Sequence, residues 1–146
     1  MEIKVAKRYA ARRLANTALY NFLFKEGWQL EQYLQWISSG ELCATVALAV
    51  DEYPVGVAIE ALVTSSSFTS NSDYTALILE KRTFIRVCQI FVKPGHRRQG
   101  IGTQLIKALS DQHKKVDAGD EGSVEFWTSL QKQGVDLEID DKEYTL

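Results

Sequence analysis

Phe84 to Leu109, F-I-R-V-C-Q-I-F-V-K-P-G-H-R-R-Q-G-I-G-T-Q-L-I-K-A-L, carries two periodicities with a break between them. Phe84–Val92 is a nearly unbroken run of β-branched, aromatic and apolar residues, the pattern of a strand covered on both faces. Lys93-Pro94-Gly95-His96 interrupts it, because proline has no ladder donor and glycine loosens the backbone. From Ile101 the period becomes helical. Ile101, Leu105, Ala108 and Leu109 fall at i, i+4, i+7 and i+8, while Gln104, Lys107 and Asp111 point away. The stretch reads as strand, tight basic loop, amphipathic helix.

The junction carries the chemistry. Arg97-Arg98-Gln99-Gly100-Ile101-Gly102 places two glycines and a string of backbone N–H groups at a helix start. The first amides of a helix have no internal acceptor and the helix dipole is positive there, so such a terminus binds phosphate. Gly100 and Gly102 are expected to let a ligand approach the backbone. Arg97 and Arg98 supply charge-assisted donors, and His96 is a candidate for another. Neither G-x-x-x-x-G-K-[ST] nor G-x-G-x-x-G is present, so this is not one of the common nucleotide loops.

R-x-x-G-x-G, after a strand ending V-x-P and before an apolar-striped helix, resembles the acetyl-CoA-binding motif of the GNAT superfamily of N-acyltransferases. The resemblance implies that Arg97, Arg98, Gln99, Gly100, Ile101, Gly102 and Thr103 contact the cofactor pyrophosphate. It also implies that the backbone of Ile90, Phe91 and Val92 pairs with the pantetheine and the acetyl carbonyl, where this strand splays from its neighbour. The implied fold is α/β (α+β): a mixed, mostly antiparallel twisted sheet flanked by helices, shortened toward the C-terminus.

The 146 residues suit a single domain, 1–146, with an ordinary core. A net charge of −2 gives no global pull toward nucleic acid. No stretch has signal-peptide or membrane-span character, so a cytoplasmic protein is expected. Cys43 and Cys88 both lie in apolar runs and read as buried, unlinked and chemically quiet. No spacing of His, Cys or Asp suggests a metal.

Upstream, Glu2–Ala6 alternates weakly, as a short first strand. A helix begins near Lys7, with Ala11, Ala15, Ala18, Leu19 and Phe22 on one face and Gly27 as its stop. The basic run Lys4, Lys7, Arg8, Arg12 and Arg13 reads as a solvated face. A second helix is expected from about Gln29. Leu42–Val50 and Val55–Val63 form a hairpin around the turn Asp51–Pro54, with Val55, Val57, Ile59, Ala61 and Val63 on one face. Thr64–Asp73 is loop-like, Tyr74–Leu79 a short strand, and Glu80–Arg82 a turn. This order of elements is also that of the GNAT superfamily.

The C-terminal third leaves two readings. Ser123–Gly134 is a helix with Ser123 as N-cap and Gly134 as C-cap, or Val124–Thr128 is a strand beside Phe84–Val92; the helix is preferred. As a helix, Phe126-Trp127-x-x-Leu130 resembles the family's F-Y-x-x-L-G segment, and the family's fifth strand is then either missing or shrunk into Lys114–Ala118. Val135–Ile139 and Tyr144–Leu146 read as a final hairpin.

Acyl transfer to an amine needs a base, an oxyanion donor and an acid for the departing thiolate. The Ile90–Val92 amides suit the second need. Where the family often has a tyrosine as acid, this chain has Trp127, which has no titratable proton. Some members place a carboxylate early in the central strand; the corresponding region here offers Arg86 and Gln89, neither a base. Glu60 is the best remaining candidate base, against its reading as a half-exposed strand residue paired across the hairpin. His113 reads as a helix-end residue favoured by the dipole. No catalytic residue is assigned. The expected activity is transfer of an acetyl group from acetyl-CoA to a primary amine of a small molecule or protein, without nucleic acid or membrane, with a homodimer left open. The alternative is a GNAT-fold protein that binds acyl-CoA or a protein partner without catalysis.

Overall fold

The computed structural model describes residues 1–26, 43–64, 84–117 and 121–140. The expected second helix from Gln29, the strand Tyr74–Leu79, the turn Glu80–Arg82 and the strand Tyr144–Leu146 lie outside the described residues, as does Gly27. The loop expected over Thr64–Asp73 does too, apart from Thr64, which ends a strand.

Among the described residues six strands form one sheet in sequence order, β1 (Glu2–Lys7), β2 (Thr45–Asp51), β3 (Tyr53–Thr64), β4 (Phe84–Val92), β5 (Lys114–Asp117) and β6 (Leu137–Asp140). The pairings β1–β2, β2–β3 and β3–β4 are antiparallel, whereas β4–β5 and β5–β6 are parallel. The parallel pairs require crossovers, and helices α2 (Ile101–Ala108) and α3 (Glu121–Lys132) supply them. Helix α1 (Tyr9–Glu26) follows β1.

The sheet separates two cores. On one face Ala11, Ala15 and Ala18 of α1 pack on Val46, Leu48, Val57, Ile59, Ala61 and Val87. The small alanines bring α1 close to the β-branched sheet surface, as the stripe in its sequence implies. On the other face Ile101, Leu105, Ile106 and Leu109 of α2 and its C-cap, with Trp127 and Leu130 of α3, cover Ala47, Ala49, Ala58, Cys88 and Val116. Strand β4 therefore alternates between two filled layers, Val87 to one and Cys88 to the other, which accounts for its unbroken apolar run.

Several expectations are corrected. The hairpin reverses at Glu52 alone (φ 60°), with Asp51 already paired to Tyr53, rather than through a four-residue turn. The register shifts beside Ala49/Val50, and this bulge turns Val55 onto the α2 face while Val57, Ile59 and Ala61 face α1. Helix α3 replaces the alternative strand. It starts at Glu121, so Ser123 lies inside it rather than at its cap. Gly134 ends it as expected: at φ 95° it places its own N–H on Gln131 O (3.0 Å) and that of Val135 on Leu130 O (3.0 Å), the Schellman pattern. Strand β6 joins the sheet parallel to β5, and the hairpin expected between it and Tyr144–Leu146 lies outside the described residues. Cys43 is exposed, in a turn just before β2, and only Cys88 is buried; neither is in a disulfide.

Candidate active site

The loop after β4 is built by short backbone bonds. Lys93 N–H donates to Val55 O at 2.9 Å, so the β3 bulge anchors the strand end. Pro94–His96 forms a single 3₁₀ turn, with His96 N–H on Lys93 O at 2.8 Å. Arg98 (φ 65°) and Gly100 (φ 78°) both lie in the left-handed region. Arginine there is strained, and such strain concentrates at ligand-holding loops.

Gly100 is the N-cap of α2 and has no side chain with which to cap it. The first intrahelical bond in this turn is Gln104 N–H to Gly100 O at 3.1 Å. The amides of Ile101, Gly102 and Thr103 precede it and have no acceptor inside the helix. A Cβ on Gly100 would meet nothing within 4 Å, so the terminus is open. Arg97, Arg98 and Gln99 are exposed around it. The donor set fits a phosphate group: uncapped amides, the positive end of a dipole and two guanidinium groups.

Gly102 is small for a different reason from the one expected. A Cβ there would lie 2.9 Å from Phe126 Cε1 and 3.3 Å from Ile90 Cδ1. The missing side chain admits α3 rather than a ligand. Arg97 is likewise partly a strut. Its Nε donates to Val92 O at 2.8 Å and its guanidinium lies 5.8 Å from the Phe91 ring centroid, tying the loop to the end of β4.

β3 accompanies β4 over its whole length, from Thr64↔Phe84 to Gly56↔Val92. The ladder to β5 covers only Val87↔Lys115 and Cys88↔Val116. Among the described residues, β4 and β5 therefore part after Cys88, beside Ile90, Phe91 and Val92. The sequence places the residues of this fork and of the loop together, and the structure does so too. Two buried polar atoms next to it have no hydrogen-bond partner, Gln89 Oε1 and His96 Nδ1. Nothing in the sequence marks Gln89 as a site residue, because an amide is not a base.

Glu60 is neither the free base nor the half-exposed residue expected. It is fully buried and held by α2's end: Ser110 Oγ–H donates to Oε1 at 2.6 Å and Ser110 N–H to Oε2 at 3.2 Å. Lys114 Nζ, itself buried, lies 3.3 Å from Oε1 and also donates to Ser110 O (2.6 Å) and Gln112 O (3.1 Å). These partners occupy the carboxylate in a buried ion pair. Cys88 lies opposite Glu60 in the ladder; burial pushes its thiol well above the ordinary range and the Glu60 charge adds to that, with Lys114 opposing. Trp127 is 3% exposed and stacks edge-on with Phe126, centroids 4.9 Å apart, so it serves as a packing group. His113 is not held by the α2 dipole. Its Nδ1 lies 2.7 Å from Asp136 Oδ1 and its Nε2 3.8 Å from Glu138 Oε2, and the Asp136 hydrogen bond raises its pKa above 6.5. Among the described residues no group of His, Cys, Asp and Glu could hold a metal ion.

A model of the GNAT acetyltransferase family matches residues 8–131. A comparison with curated proteins found no match. Among solved structures, an acetyltransferase from Vibrio fischeri is similar at 14% identity and TM-score 0.42, covering 95% of this chain and 96% of that one. A ribosomal-protein-alanine N-acetyltransferase from Brucella melitensis is similar at 14% identity and TM-score 0.41, covering 98% of this chain and 82% of that one. Chaetomium thermophilum Naa20, solved with a bisubstrate analogue, is 21% identical at TM-score 0.38, covering 74% of this chain and 53% of that one. With the match extending from α1 through the loop and α2 into α3, the chain belongs to the GNAT family of acetyltransferases.

Proposed function

We propose that the protein is an acetyl-CoA-dependent N-acetyltransferase that acts in the cytoplasm on a primary amine of a small molecule or protein. The observation that carries this reading is the uncapped, open start of α2, flanked by Arg97 and Arg98 and set at the end of β4 where the β5 ladder has stopped. In this reading the amides of Gly100–Thr103 and the side chains of Arg97, Arg98 and Gln99 hold the pyrophosphate. The backbone of Ile90–Val92 receives the pantetheine and the acetyl carbonyl in the fork.

The amine lone pair attacks the thioester carbonyl carbon, forming the N–C bond. The C–S bond then breaks with its electron pair on sulfur, and the amine proton leaves to water or to the thiolate. Backbone amides of β4 stabilise the intermediate's oxyanion. A thiolate is a good leaving group, so a tryptophan at the usual tyrosine position is compatible with turnover.

One observation favours a second reading, acyl-CoA binding without catalysis: Glu60 is consumed by Lys114 and Ser110, and Trp127 is buried. Calorimetric titration with acetyl-CoA, followed by a thiol-release assay, separates the two. The amines are spermine, a tripeptide with a free α-amino group and an acetyl-capped lysine peptide. Binding with thiol release is the expected result. Binding without release from any amine leaves the second reading, and no binding overturns both.

A further inference from the structure

Gln89 has a buried side-chain oxygen with no hydrogen-bond partner. A buried acceptor without a donor is destabilising, and an apolar side chain of the same shape would suit a purely structural position better. Its place in the fold is specific. Gln89 is the first β4 residue past Cys88, where pairing with β5 stops. Alternation along the strand puts it between Val87 and Phe91, on the face that α1 covers.

The opposite face at this level is closed. There Ile90 and Phe126 leave so little room that even a Cβ on Gly102 would be 2.9 Å from the Phe126 ring. Coenzyme held at the start of α2 runs back along β4, and about 10 Å of strand lies between Val92 and Gln89. The reactive thioester then sits in the fork beside Gln89. Gln89 is only half-buried as a residue, so a second substrate has a route to the fork beside it.

We propose that Gln89 is a positioning residue for the acceptor: its Oε1 accepts a hydrogen bond from the attacking amine and aims the nitrogen lone pair at the thioester carbonyl. This rests on the transferase reading above. A primary amine has two N–H groups in its attacking form, one to bond Gln89 and one to lose as the proton. A secondary amine has only one for both purposes. The site therefore selects primary amines.

The test uses the full chain with the same amines and, for comparison, the N-methylated tripeptide. In Gln89→Leu the KM for the best primary amine rises about tenfold, the loss of one hydrogen bond. The acetyl-CoA Kd stays unchanged, Tm does not fall, and the preference for the primary over the N-methylated tripeptide shrinks. Gln89→Glu keeps an acceptor at similar reach and recovers most of the KM. Unchanged amine KM in Gln89→Leu overturns the assignment alone. So does a loss confined to kcat, which would mark the amide as a donor to the thioester oxygen, and so does a parallel loss of acetyl-CoA affinity and Tm. A wild-type protein that binds no acetyl-CoA, or releases no thiol with any amine, overturns the transferase reading and this assignment with it.

Discussion

Gly100 and Gly102 stand two residues apart in the same motif, yet their missing side chains serve different ends. Gly100 needs its φ of 78° and faces open space; Gly102 has a negative φ and faces Phe126. Gly100→Asp therefore removes acetyl-CoA binding in calorimetry, by charge repulsion at the amides, at a stability cost of only about 1–2 kcal/mol for a side chain in the left-handed region. Gly102→Ala costs roughly 1–3 kcal/mol by overpacking. Phe126→Leu in the same chain restores part of that, measured by denaturant unfolding. The two cysteines divide in the same manner. A native-state thiol titration labels Cys43 rapidly, because it is exposed, and reaches Cys88 only on unfolding, because burial keeps its thiol protonated.

Elements meet through small residues and, among the described residues, one buried ion pair. Gly56 of β3 seats α2, since a Cβ there would lie 3.0 Å from Leu105 Cδ1. Beyond α2, Glu60, Ser110 and Lys114 lock β3, the end of the helix and the start of β5 to one another. Removing one partner strands a buried charge, so Lys114→Met destabilises the fold by about 3–5 kcal/mol. The double variant Glu60→Leu/Lys114→Met is more stable than Lys114→Met, because the stranded charge is gone. Chemical denaturation of the two proteins checks this, and a double variant less stable than the single one refutes it. Trp127 belongs to the same layer: α3 packs by its aromatic face, Trp127 into the core and Phe126 over Gly102.

At the scale of the molecule, the sheet turns from antiparallel to parallel at β4, and the candidate site lies at that change. The far edge is tied by His113, which links the turn after α2 to Asp136 and Glu138 beside and within β6. Its native pKa is raised above the unfolded value. The contribution is therefore complete below about pH 6.5 and is lost as pH rises through the higher native value. Both partners are more than half exposed, so the effect is small and screened by salt. The Tm difference between wild type and His113→Ala is expected to be largest below about pH 6.5, to fall away as pH rises through the raised native pKa, and to shrink in 1 M salt.

Local pattern alone determined β4, the loop, α2 and α1, because an apolar run, a Pro-Gly break and a 3.6-residue stripe each report the residues' own period and stop signals. It also determined the candidate phosphate site, whose donors are consecutive backbone amides and need no distant partner. Tertiary structure decided everything that depends on residues far apart in the chain. Glu60 reads as a base until Ser110 and Lys114, some fifty positions later, occupy its oxygens. The face of Val55 depended on a bulge that only strand pairing reveals, and the parallel placement of β6 on β5, two strands of four residues each. Whether Gly102 meets a ligand or a phenyl ring was set by where α3 crosses α2. Burial without a partner, which Gln89 shares with His96, is a property only the folded chain has, and at Gln89 it falls where the β4–β5 ladder has ended.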